Sequence, residues 1–102
     1  SNIEATLRQA GRDVVVVEDL VTLERELAMQ DCGIVILDLH MEVEAGAVVM
    51  LCGPKSVPVL AFGRHTEPEL LRSARDAGCA EVVPRSTFVE EMASLVDRLS
   101  RA

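Results

Sequence analysis

Four aliphatic residues in succession, Ile34 to Leu37, run straight into a carboxylate, Asp38, and then into a polar segment that reaches Gly46. No polar residue interrupts the run, so a strand built from it has no face to give to water. Strands covered on both faces belong to parallel sheets layered between helices. Asp38 would then stand at the carboxyl end of its strand. That edge of an open α/β sheet is where the loops form a crevice and ligands bind.

Similar runs recur along the chain. Val14 to Val17 predict a second buried strand over residues 13–18, and Val57 to Phe62 a third, with Pro58 tolerated near its first residue. Glu81 to Pro84 predict a short last strand. Helical spacing fills the intervals. Ile3, Leu7 and Ala10 read as the end of a helix stopped by Gly11, and Leu20, Leu23, Leu27 and Ala28 share one face of a helix over residues 19–30. Ala45, Val48, Val49 and Leu51 fit a short helix halted at Gly53 and Pro54. Thr66 is placed to cap a helix that has Pro68 and Glu69 in its first turn and closes at Gly78. Phe88, Met92, Leu95, Val96 and Leu99 make the inner face of a final helix over residues 88–101. Helices alternating with strands over short connections imply βαβ units with right-handed crossovers.

At 102 residues the chain suits one domain, residues 1–102. With Phe62 and Phe88 as its two aromatics, the core must be mainly aliphatic. No apolar run approaches the roughly 18 residues of a membrane span, and no secretory signal opens the sequence. The net charge of −7, without a Lys/Arg cluster, argues against direct contact with nucleic acid, which needs a positive surface. Cys32, Cys52 and Cys79 are odd in number and lack C-x-x-C spacing. They are expected to be reduced, mostly buried thiols in a cytoplasmic protein.

Asp38, Met41 and Gly46 have the spacing of D-x-x-M-P-x-x-x-G, and the stretch resembles the phosphoacceptor motif of response-regulator receiver domains, with Glu42 where proline is usual. Val57 to Phe62 resemble the fourth receiver strand. Ala77-Gly78-Cys79 resembles the alanine-glycine-alanine turn before the fifth. The resemblance implies a CheY-like, flavodoxin-like three-layer α/β sandwich with a parallel sheet in the order 2-1-3-4-5. The first strand of that sheet is missing from the sequence, which enters the pattern at the first helix. A sheet without its central member would have two unpaired edges, so a rearranged order, a strand from a partner, or further sequence is expected.

Receivers of this kind take up a phosphoryl group with an acidic pair that holds Mg²⁺, the acceptor aspartate, a Thr or Ser after the fourth strand and a Lys after the fifth. Phosphoryl transfer is mostly positioning and neutralisation of charge, so each part matters. By the resemblance Asp38 is the acceptor equivalent, Gly63 stands at the Thr/Ser position and Arg85 at the lysine position. Arginine keeps the charge without the compact ammonium, and glycine has no hydroxyl. The acidic pair is missing with its strand. Asp38 is therefore expected to pair with Arg85 or to cap a loop.

Cys52 has no histidine at an offset that would activate it, and His40 and His65, with Glu42, Glu44 and Glu67 close in sequence, leave a divalent-metal site open, although separate loops without fixed spacing favour surface or capping roles. The expected function is that of a degenerate pseudo-receiver: a non-enzymatic signalling module of two-component type that needs no cofactor and acts through protein contacts. The resemblance places those contacts from Pro68 to Ala77, Glu81 to Arg85 and Phe88 to Arg101, with a protein partner or with a second copy in a homodimer. The alternative is a phosphoaccepting receiver that uses Asp38 and Mg²⁺ with an acidic pair outside this sequence.

Overall fold

The computed structural model describes residues 2–101. Three strands, β1 (Val35–Asp38), β2 (Val59–Gly63) and β3 (Glu81–Pro84), form one parallel sheet in the order β1-β2-β3. Val35 aligns with Val59 and Asp38 with Phe62. Phe62 in turn aligns with Val83, and Gly63 with Pro84. β2 is buried along its whole length, as its unbroken apolar sequence requires, because a strand lies on each side and a helical layer on each face.

Side chains alternate across the sheet and divide the core in two. Leu60 and Phe62 face a layer made by α1 (Asn2–Gln9) and α5 (Arg85–Leu99), where they join Leu7, Phe88, Met92, Leu95 and Val96. Val59 and Ala61 face the opposite layer, made by α2 (Leu20–Met29), α3 (Ala45–Cys52) and α4 (Pro68–Asp76), and meet Leu23, Leu27, Val48, Leu71 and Ala74. Phe62 and Phe88 stack in parallel with ring centroids 4.4 Å apart and lie within the first core. The architecture is the α/β three-layer sandwich expected from the sequence.

Residues 13–18 correct that expectation in one respect: they form no strand. The segment connects α1 to α2 and passes from one helical layer to the other. Val14 packs on the first core and Val17 on the second, while Val15 and Val16 are 52% and 64% exposed. Its valines favour an extended backbone, but a strand needs a neighbour, and in the receiver order its neighbour would be the strand that is absent here. Among the described residues the sheet ends at β1, so three strands sit in contiguous pairing and do not straddle a gap.

Helix boundaries follow local chemistry. Asp19 caps α2 by accepting a hydrogen bond from the Thr22 N–H at 2.7 Å. α3 gives way at Gly53 to a 3₁₀ turn, Gly53–Lys55, that carries Pro54. α4 starts at Pro68 with Glu67, in place of the expected Thr66, in the capping position. Proline at the first helical residue fixes the entry φ and needs no donor there, so it sets the boundary. α4 ends before Gly78, whose φ of +105° belongs to the region where glycine alone is comfortable. α5 begins at Arg85, three residues before the expected start, and is interrupted at Glu91 (φ −116°, ψ 18°), whose carbonyl accepts the Ser94 hydroxyl. No described helix is long and apolar enough to cross a membrane.

Candidate functional site

The carboxyl edge of the sheet gathers Asp38 from β1, Gly63 from β2 and Arg85 from the start of α5. Asp38 reaches this edge because its strand stops there. Its Oδ1 accepts the His40 N–H at 2.9 Å, and its carbonyl accepts the Met41 N–H at 3.2 Å. An aspartate that bonds its own backbone two residues on is an Asx turn, which turns the chain out of the strand. The other carboxylate oxygen, Oδ2, lies 3.8 Å from Arg85 Nη1. Arg85 is held by more than this ion pair, since its guanidinium carbon stands 5.2 Å above the Phe62 ring, within cation–π range. The Asp38 side chain is 33% exposed and that of Arg85 52%, so water screens the pair.

Gly63 ends β2 one residue beyond the level of Asp38 and is buried. A Cβ at this position would meet Leu71 Cδ2 at 3.2 Å, Leu39 Cδ1 at 3.4 Å and His40 Nε2 at 3.5 Å. A side chain here would thus lie in ordinary contact with Leu39 and the His40 imidazole and would need Leu71 to shift by a few tenths of an ångström. His40 bridges two loops. Its Nε2 accepts the Arg64 N–H at 2.9 Å, and its Nδ1 lies 3.5 Å from Glu67 Oε2, which also sits 3.7 Å from Arg64 Nη1. The Arg64 bond assigns the ring proton to Nδ1.

The sequence marks Asp38, Gly63 and Arg85, and the fold brings them to one edge. It treats His40 and His65 alike, yet their surroundings differ. His40 is built into the edge, whereas His65 is exposed and makes no hydrogen bond or ion pair among the described residues. The His40 bond to Arg64 spans 24 residues of sequence, so no local pattern announces it. The residues present do not fit Mg²⁺, which takes several oxygen ligands. One carboxylate oxygen of Asp38 is engaged by an amide and the other faces a guanidinium, and no three metal-ligating side chains converge among the described residues. The thiols stand apart from this edge. Cys52 is buried, and burial pushes its thiol up to about 11.

No protein-family model matches the chain, and no curated protein matches it. Among solved structures, the chain is similar to the BeF3-activated receiver domain of nitrogen regulatory protein C (NtrC), determined in solution. The two are 21% identical and superpose with a TM-score of 0.69 over 95% of this chain and 81% of that one. At that identity the likeness is one of fold: the chain has the receiver-domain form of the flavodoxin-like α/β fold.

Proposed function

We propose that the chain is a cytoplasmic signal-transduction module of pseudo-receiver type, which works by protein contact and not by enzymatic chemistry or phosphoryl transfer. The observation that carries this reading is the glycine at position 63. Where the resemblance calls for a hydroxyl beside the acceptor the chain has no side chain, and a Cβ there would press on Leu71 Cδ2 at 3.2 Å. The acceptor equivalent, Asp38, is meanwhile committed to the His40 amide and to Arg85.

The contact surface in this reading is the face made by α4, β3 and α5, from Pro68 to Ala77, Glu81 to Arg85 and Phe88 to Arg101. Several of its charges are already paired within the chain: Arg72 with Glu69 at 3.1 Å, and Arg98 with Glu81 at 2.8 Å. Exposed Val89, Asp76 and Glu90 remain on the same elements to meet a protein partner or, in a homodimer, a second copy, beside Arg75, which donates to the Val82 carbonyl at 3.4 Å. Exposed ion pairs contribute little to stability, and they leave specificity as their main use at such a surface. Reversing the charges at Arg72 and Arg75 and measuring the particle mass in solution tests self-association. A dimer that falls to monomer supports it, and an unchanged mass removes this surface as the dimer contact.

The alternative is a phosphoaccepting receiver that uses Asp38 with Mg²⁺ and an acidic pair beyond these residues. Arg85, a cation 3.8 Å from the carboxylate, is the feature that favours it.

A further inference from the structure

We infer that His40 is a proton-operated latch between the β1–α3 loop and the β2–α4 loop, fastened to the Arg64 amide when the imidazole is neutral and to the Glu67 carboxylate when it is protonated. The neutral ring can accept one hydrogen bond and donate one: Nε2 takes the Arg64 N–H at 2.9 Å, and Nδ1 lies 3.5 Å from Glu67 Oε2. The imidazolium has two donors and no acceptor. Its Nε2–H would point at the Arg64 N–H, and the bond that ties the loops would be replaced by a donor–donor opposition.

The neighbouring charges set the direction in which a protonated ring moves. Glu67 and the Arg64 side chain, both on the β2–α4 loop, face the ring's other side as a pair 3.7 Å apart, so the imidazolium is drawn toward Glu67 and away from the Arg64 amide. Asp38 on β1 takes the His40 backbone amide, and its second oxygen is directed to Arg85 of α5. From α4 the neighbour is apolar, Leu71, which shares with Leu39 and the ring the space above Gly63. No other hydrogen bond or ion pair reaches the ring among the described residues.

Protonation therefore swings the imidazole off Gly63, opens the space beside Asp38 and moves the fastening to Glu67, the residue that leads into α4. The latch holds whether or not the α4 face binds a partner.

Nitrogen-15 NMR of the intact chain between pH 8 and pH 5 tests the latch. At pH 8 the ring nitrogens of His40 should report the proton on Nδ1. On acidification the Arg64 amide resonance should move with the same midpoint as the His40 ring, and that movement should be lost in H40Q and kept in H65Q. Three results would overturn the latch: a neutral His40 ring protonated on Nε2, an Arg64 amide that stays still while His40 titrates, or an Arg64 shift that persists in H40Q. The tautomer and the amide titration are both read on the unmodified chain, so the test stands even if H40Q fails to fold.

Discussion

Arg85 lies between Asp38 and Phe62, with Nη1 3.8 Å from the carboxylate and its guanidinium carbon 5.2 Å over the aromatic ring. Each contact is modest by itself. A solvent-screened ion pair contributes about 0–1 kcal/mol and an exposed cation–π contact about 0.5–1 kcal/mol. Arg85→Ala should therefore lower the unfolding free energy in urea by about 1 kcal/mol. Asp38→Asn should cost less, because the amide oxygen can still accept the His40 N–H.

Phe88 is fully buried and stacks on Phe62 at 4.4 Å, which joins the first turns of α5 to the centre of the sheet. Phe88→Ala removes a whole ring from a close-packed site and should cost about 3–5 kcal/mol, a large part of the stability of a domain this size. Val89→Ala, one residue on and 58% exposed, should change the urea midpoint far less.

Asp19 provides a pH-dependent contribution at the start of α2. Its side-chain hydrogen bond with Thr22 holds its carboxyl below the usual carboxylate range. A carboxyl lowered in the folded state stabilises fully above its unfolded value, about pH 4, and loses that contribution as pH falls through the folded value. Asp19→Ala should lower the urea midpoint at pH 7, and the difference from wild type should shrink as the pH is taken below about 4. Asp19→Asn keeps a capping oxygen and should recover most of the pH 7 midpoint.

Cys52 is buried, and with its thiol raised to about 11 it carries little thiolate at pH 8. A thiol-specific reagent at pH 8 should leave it unmodified in the folded chain and should reach the partly exposed Cys32 and Cys79 first. All three thiols should react once the chain is unfolded in denaturant. Rapid modification of Cys52 in the folded state would mean that the packing between α3 and the sheet is looser than described.

The parts of this fold that are legible from sequence are those that one segment decides alone. Glu81 to Pro84 form the short strand expected of them, and Leu23 and Leu27 make the buried stripe of α2 that their spacing indicates. Residues 13–18 look as strand-like as any stretch of the chain, but pairing depends on two segments, and one of them is absent from these residues. The α4 boundary falls one residue from its expected place because Thr66 and Pro68 give competing signals and proline dominates. At the candidate site, Asp38 and Arg85 can be set on one edge by their places at strand ends. The crowding above Gly63 and the His40 bond to Arg64 cannot, since each arises where side chains from separate strands and loops meet.

The central claim is that Asp38 sits at a receiver-like edge without taking up a phosphoryl group. The most direct measurement is the intact mass of the chain after incubation with acetyl phosphate and Mg²⁺. No phosphoryl adduct is expected on either wild type or Asp38→Ala, each keeping the mass it had before incubation. A stoichiometric phosphoryl adduct on the wild type that is lost in Asp38→Ala would contradict it and establish the phosphoaccepting alternative.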